Sequence, residues 1–307
     1  MQLPITQNTI STQLGRKIHS PIYIDSIENF DGLVAERFLE FFSPMFESFA
    51  WDHYDVRRLQ MEMLLAAFPE DETLRSRLRA YYTDQADVDS LQKWVDQLNA
   101  EDKKAFQALQ PWRRRAVAQF TIEKSEKGLK IWRTMVPHFQ QDLDQNDVRS
   151  MPRIFAECEH KYTENEMFQS LLKGVFSLVQ KTRPNLKKIT ATAHFMSVKA
   201  VAAKAGDNSP EGAHEDGADY IVSALVVNRK NIIGGETQII EQLADGKKEI
   251  ICRHTLQPGQ FVFQADSRDE LTYGTDLWHH VTPFQLADES QSEGWRDIIG
   301  FDINVVA

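Results

Sequence analysis

In this 307-residue chain, His214 and Asp216 stand one residue apart at the start of the stretch 210–237, PEGAHEDGADYIVSALVVNRKNIIGGET. A second histidine-bearing segment, LWHHVTP, occupies 277–283. Residues i and i+2 of an extended segment point to the same side, so the His214 imidazole and the Asp216 carboxylate can reach one ion. With a distal imidazole from His279 or His280, the set is two nitrogens and one oxygen. Such a set covers one face of an octahedral metal and leaves the other positions open, the ligand pattern of non-haem Fe(II) oxygenases. Adjacent strand residues face opposite ways, so only one of His279 and His280 can serve. Glu215 is expected to point away. A structural zinc site would use four protein ligands, usually with cysteine, and Cys158 and Cys252 have no such spacing.

The segments that would carry these residues read as strands. After Pro184 the texture turns β-like over 189–202 and 220–228. Segments 236–243 and 248–256 flank Asp245-Gly246, a hairpin signal, and Pro258-Gly259 precedes Phe261-Val262-Phe263. With 277–282 and 297–305, seven short strands separated by turns suggest a sandwich or jelly roll. Upstream the periodicity is helical. The clearest helix is 164–181, with Thr163 and Glu166 at capping-box spacing and Pro184 beyond its end. Phe168, Leu171, Leu172, Val175, Phe176 and Val179 make its apolar stripe. Residues 55–140 read as helices punctuated by Pro69 and Pro111, with Leu59, Met63, Ala66, Ala67 and Phe68 as one stripe and Leu91, Trp94, Val95 and Leu98 as another. Arg113-Arg114-Arg115 is read as a solvated helix face. A short strand is expected at 21–24, and a helix over 34–42 packing through Phe38, Phe41 and Phe42. The expected fold is α+β: a mainly helical region 1–150 and a β core 151–307, joined as one compact unit.

Composition narrows the function classes. A formal charge of −10 argues against nucleic acid as the main partner. Two cysteines make no disulfide framework and fit a reducing compartment. Without a signal-peptide core or an apolar run near the ~20 residues that span a bilayer, a cytoplasmic protein with no membrane partner is expected. Gly234-Gly235 suits a tight turn or a close backbone approach. Asn228 and Asn231 suit turn backbone, and His194 and His254 suit structural roles. His53, His138 and His160 have no ligand spacing.

Four stretches together resemble a known family: PEGAHEDGADY, Arg229 to Gly235 as R-x-N-x-x-G-G, His279 to Pro283 as H-x-V-T-P, and GWRD at 294–297. They are similar to the bacterial Fe(II)/2-oxoglutarate-dependent dioxygenases that hydroxylate free aliphatic amino acids, the L-isoleucine dioxygenase type. The resemblance covers roughly 150–307 and implies a double-stranded β-helix (jelly-roll, cupin-like) core. It implies His214, Asp216 and His279 as iron ligands, favouring His279 over His280, and Arg296 as the partner of the distal carboxylate of 2-oxoglutarate. A guanidinium suits that task because it is planar, always charged and bidentate. Arg296 lies 17 residues after His279, which suggests an inserted loop at 288–293. The implied cosubstrates are 2-oxoglutarate and O2, with ascorbate as an aid in vitro. The implied reaction hydroxylates an isoleucine-, leucine- or methionine-type substrate and converts 2-oxoglutarate to succinate. Arg229, Arg253 and Arg268 are the cations available to the substrate carboxylate. The alternatives are a hydroxylase of a protein side chain or another small molecule, and a non-catalytic jelly-roll binding protein; a homo-oligomer is left open.

Overall fold

The computed structural model describes residues 3–136, 151–243, 245–266, 273 and 276–306. Their contacts divide the chain into two compact units, one of residues 1–49, 114–136 and 156–307 and the other of residues 50–113 and 137–155.

The strands in chain order are β1 (Ile5–Thr6), β2 (Ile22–Ser26), β3 (Arg113–Ser125), β4 (Gly128–Thr134), β5 (Lys188–Val201), β6 (Tyr220–Lys230), β7 (Ile232–Gly234), β8 (Thr237–Gln242), β9 (Lys248–His254), β10 (Gln260–Ala265), β11 (Asp276–Val281), β12 (Phe284–Leu286) and β13 (Glu293–Val305). The helices are α1 (Gln7–Leu14), α2 (Ala35–Phe42), α3 (Tyr54–Ala67), α4 (Glu72–Tyr82), α5 (Gln92–Val95), α6 (Ala100–Ala108), α7 (His160–Thr163) and α8 (Glu166–Thr182).

The larger unit is a jelly roll. Its main sheet has the order β1-β2-β10-β6-β13-β5-β3-β4, and the facing strands form a β11-β8-β9 sheet and a β12-β7 pair. Strand β6 is a run of Val, Leu and Ala because both its faces are covered. Between the sheets lie Ile24, Ala224, Val226, Ile239, Ile251, Val262, Leu277 and Ile298. On the outer face of the main sheet, α8 buries Phe168, Leu171, Leu172, Val175, Phe176 and Val179 against Ala118, Phe120, Phe195 and Phe301. Each such side chain contributes ~1.5–3 kcal/mol on burial, far more than the ~0.5–1 kcal/mol that a mid-helix glycine costs. Gly174 is needed there because a Cβ would sit 2.3 Å from the Phe30 ring. The smaller unit packs Leu64, Leu74, Leu78, Leu91, Trp94, Val95 and Phe106 into a core of its own.

The α+β jelly-roll expectation holds, and the strands expected at 189–202, 220–228, 236–243, 248–256, 277–282 and 297–305 all form. Several local expectations need correction. Residues 113–134 are not helical: they form β3 and β4, which pair antiparallel, with Ala116, Ala118, Phe120 and Ile122 alternating into the core. The arginine triplet therefore lies on a strand. Arg113 is buried beside Asp55 at 3.6 Å, and Arg114 donates to the Glu47 carbonyl. In α3 the buried positions are Tyr54, Val56, Gln60, Met61 and Leu64, and Gln60 is satisfied internally by the Tyr81 hydroxyl at 2.5 Å. A polar residue thus holds a core position and hides the true stripe. The α8 cap is Asn165, whose Oδ1 accepts from the Phe168 N–H at 3.0 Å; Thr163 is buried. Phe41 is exposed while Phe38 and Phe42 are buried. His138 lies outside the described residues. Among the described residues, no helix is long and apolar enough to cross a membrane. Cys158 is buried, and Cys252 is half-buried on β9.

Candidate active site

His214 and Asp216 lie between β5 and β6, and His279 lies on β11. An isolated antiparallel bridge brings the two histidines together: His214 N–H donates to the His279 carbonyl at 3.1 Å, and His279 N–H donates back at 3.0 Å. The rings stand 4.3 Å apart, centroid to centroid. His214 Nδ1 lies 2.9 Å from the Gly212 carbonyl; with its N–H held there, Nε2 carries the lone pair. Nε2 of His214 is 3.6 Å from Asp216 Oδ1, and Nε2 of His279 is 3.5 Å from Asp216 Oδ2. One ligand atom from each of the three residues falls within 4.8 Å of the others. Two atoms each ~2.1 Å from one ion are ~3 Å apart when adjacent on an octahedron, so a small inward movement lets all three grip a divalent cation.

Electrostatics point the same way. Burial, then the carboxylates of Asp302, Asp266 and Glu211, push the Asp216 carboxyl well above the usual range, with Arg115 opposing. Burial, then His214 and His280, push the His279 imidazole well below its usual value. A cation among these groups supplies the missing charge and takes up the lone pairs of neutral imidazoles.

Residue pattern alone had not brought in Glu211 and Asp266. Glu211 Oε1 lies 3.1 Å from His214 Nε2, and its position three residues before the histidine was visible in the chain. Asp266 Oδ2 accepts from the Asp216 and Ala218 N–H groups at 3.0 and 2.9 Å and fixes the loop that carries Asp216. Its 50-residue separation from Asp216 gave no signal. His280 sits on the other side of β11, 3.4 Å from Gln238 Oε1.

Arg296 on β13 is fully buried. Its Nη1 donates to Asn208 Oδ1 at 2.9 Å, while Nε and Nη2 are buried without a hydrogen-bond partner. Directly across the ladder stands Arg229 on β6, whose Nη2 donates to the Gly234 carbonyl at 2.6 Å and whose Nη1 is likewise unpartnered. Burial, then Arg229, push Arg296 down to about 9, with Asp297 opposing. A buried and a half-buried guanidinium group, each with unpartnered N–H donors, fit a carboxylate between them. Gly235, at φ +69, passes close by; a Cβ there would sit 3.4 Å from Arg229 Nη1 and 3.5 Å from Arg296 Cδ. Asp297 faces away from Arg296 and accepts from Ser197 Oγ at 2.5 Å and Asn228 Nδ2 at 3.2 Å. Asn228 thus bonds a side chain, whereas Asn231 does serve turn backbone, at φ +50 with bonds to Asp288 and Glu293. The interval between His279 and Arg296 holds β12 as well as a turn. Arg253 is exposed and paired with Glu236 at 3.0 Å, and Arg268 lies outside the described residues.

The family model described as 2OG-Fe dioxygenase matches residues 92–302, well over half of the chain. The chain belongs to the 2OG-Fe dioxygenase family. The family requires Fe(II), 2-oxoglutarate and O2, so this is an Fe(II)/2-oxoglutarate-dependent dioxygenase. One curated relative is 3(1)-hydroxy-L-isoleucine 4-dioxygenase of Pantoea ananatis, 25% identical over 179 residues, covering 58% of this chain and 67% of the relative. A crystal structure of a bsmA homologue from Methylobium petroleophilum aligns over 98% of this dioxygenase and 87% of that chain, with TM-score 0.57 and 17% identity, a likeness of fold. The crystal structure of IDO from Bacillus thuringiensis aligns over 68% of this chain and 88% of its own, with TM-score 0.45 and 15% identity.

Proposed function

We propose that this dioxygenase hydroxylates a free aliphatic L-amino acid of the isoleucine, leucine or methionine type and converts 2-oxoglutarate to succinate. The observation that carries the chemistry is the convergence of two imidazoles and one carboxylate on a common point. The substrate class is supported by the activity of the Pantoea relative, a 3(1)-hydroxy-L-isoleucine 4-dioxygenase. His214, Asp216 and His279 are assigned as the Fe(II) ligands and Arg296 as the partner of the distal carboxylate of 2-oxoglutarate. All four lie within 151–307, the stretch we assign as the dioxygenase core.

When bound, iron and 2-oxoglutarate supply the O2-derived oxidant for an unactivated C–H bond, with succinate and CO2 as the other products. The chain's own task is positioning. Gly212 holds His214 in the tautomer that keeps Nε2 available. Asp266 fixes the backbone on which Asp216 is borne. Arg296, with Arg229 opposite, offers the charge that orients a dicarboxylate. As a ligand, Asp216 would fill the place that a halide would need on a bound metal, which favours hydroxylation over halogenation.

The test is succinate release from purified protein with Fe(II), ascorbate and 2-oxoglutarate across the aliphatic amino acids, with anaerobic Fe(II) binding measured by dialysis. His214→Ala and Asp216→Ala are expected to lower turnover at least ~100-fold and to weaken metal retention. A fully active Asp216→Ala would refute the ligand assignment. Succinate release with peptides but with no free amino acid would overturn the substrate class.

A further inference from the structure

The inner wall of the jelly roll changes character along its length. On β3, β5 and β13, Ala116, Ala118, Phe120, Ala191, Ala193, Phe195, Ile299, Phe301 and Ile303 all face the helix-covered side. Alternation puts Val117, Gln119, Thr192, His194, Gly300 and Asp302 on the opposite, inner side, with Arg115 further along β3. The Gln119 Nε2 bond to Thr192 Oγ1, 3.1 Å, agrees with that facing. Further along the same face, Met196 and Ile298 join the apolar core between the sheets. One stretch of the wall is therefore apolar and closed, and the other is polar. In the polar stretch Gln119, Thr192 and Asp302 are all half-buried.

Within this polar stretch, the Asp302 carboxyl has a fixed orientation. Its Oδ2 lies 2.8 Å from His194 Nε2, and the His194 side chain is 9% exposed against 22% for Asp302. A long β13–β5 ladder holds both residues on adjacent strands. The segment that follows Asp216 runs alongside this end of β13: the Asp219 N–H donates to the Ile303 carbonyl at 3.1 Å, and Asp219 Oδ2 accepts from the Val305 N–H at 2.7 Å. Next to the segment that carries one assigned metal ligand, the wall thus presents a fixed carboxylate.

We infer that Asp302, held by His194, receives the α-ammonium group of the substrate. Asp302 is then a specificity-determining residue. It rejects otherwise identical molecules that lack the positive charge, because a desolvated carboxylate left without its partner is costly. The inference rests on the amino-acid reading for its substrate, but not for the charge it recognises.

The experiment uses matched pairs that differ only in the ammonium group: leucine against 4-methylpentanoate, and 3-methylbutylamine against 3-methylbutanol. Each is titrated calorimetrically onto the Fe(II)- and 2-oxoglutarate-loaded protein without oxygen, and then scored by succinate release in air. Wild-type protein is expected to prefer the ammonium member by at least ~10-fold. Asp302→Asn, which keeps the shape and an acceptor for His194, is expected to bring that ratio close to one. His194→Gln keeps the carboxylate but removes the ring that orients it, and is expected to lower the ratio by less. No preference in wild-type protein, or an undiminished preference in both variants, overturns the inference. If no aliphatic amino acid releases succinate, the substrate reading fails by itself, and the amine–alcohol pair still decides the role of Asp302.

Discussion

Arg296 is fully buried, yet Asn208 engages only one of its three nitrogens. Leaving buried donors unpaired is unfavourable, and a second guanidinium across the ladder adds to the cost. A position so poorly satisfied is best explained by a ligand that completes it. Truncating one partner of a buried charge pair typically costs 2–5 kcal/mol. Arg296→Ala is therefore expected to raise the Michaelis constant for 2-oxoglutarate at least ~30-fold, and Arg296→Lys to recover only part of this because an ammonium cannot bond bidentately. Steady-state kinetics with 2-oxoglutarate varied check both, and an unchanged constant for Arg296→Ala rejects the role. At this scale the chain was only partly readable. His214 and Asp216 could be found because strand alternation links i and i+2. The choice of His279 over His280 depended on which face of β11 turns toward Asp216, a property of the fold. Glu211, Asp266 and Arg229 join the two sites through contacts that no spacing rule encodes.

Strand β13 is tied to both its neighbours through one carboxyl. Ser197 on β5 and Asn228 on β6 donate to Asp297, and burial still pushes this group up to about 6. The folded chain therefore holds a proton there that the unfolded chain releases near pH 4. The stability from this group is fully present below about pH 4 and is lost as pH rises through about 6, by up to ~3 kcal/mol. Chemical denaturation of Asp297→Asn against wild type between pH 4 and 7 is expected to show a flatter profile in the variant; parallel profiles would refute the shift. The helix α8 supplies a second test. Asn165→Ala removes the cap bond to Phe168 and is expected to cost ~1 kcal/mol, whereas Thr163→Ala should leave that cap bond intact. Calorimetric melting separates the two. Elements with uninterrupted periodicity, such as α8 and β6, could be read directly from the chain. Those whose pattern is broken by a satisfied polar residue, as at Gln60, or by charged residues within a strand, as at Arg113 to Arg115, could not.

For the whole molecule, two clusters lack their counter-charge: carboxylates around Asp216 and guanidinium groups at Arg296 and Arg229. Divalent metal and 2-oxoglutarate each supply one of them, and the native chain alone has both sites assembled. Anaerobic Mn(II) with 2-oxoglutarate is expected to raise the melting temperature by several degrees, consistent with ~2.7 kcal/mol at a hundredfold excess over Kd. Each ligand alone is expected to give less, and thermal denaturation scans check the order. The main sheet could be anticipated because its strands are apolar, but the strands contributed by 113–134 lie far upstream of the core they join. The packing of the two cysteines carries a separate consequence. Burial pushes Cys158 up to about 12 and Cys252 up to about 11. Both sulfurs therefore stay protonated at neutral pH, and thiolate is the form that peroxide attacks and that competes for ferrous ion. In a protein that handles O2, both cysteines are thus poor substrates for sulfenic oxidation.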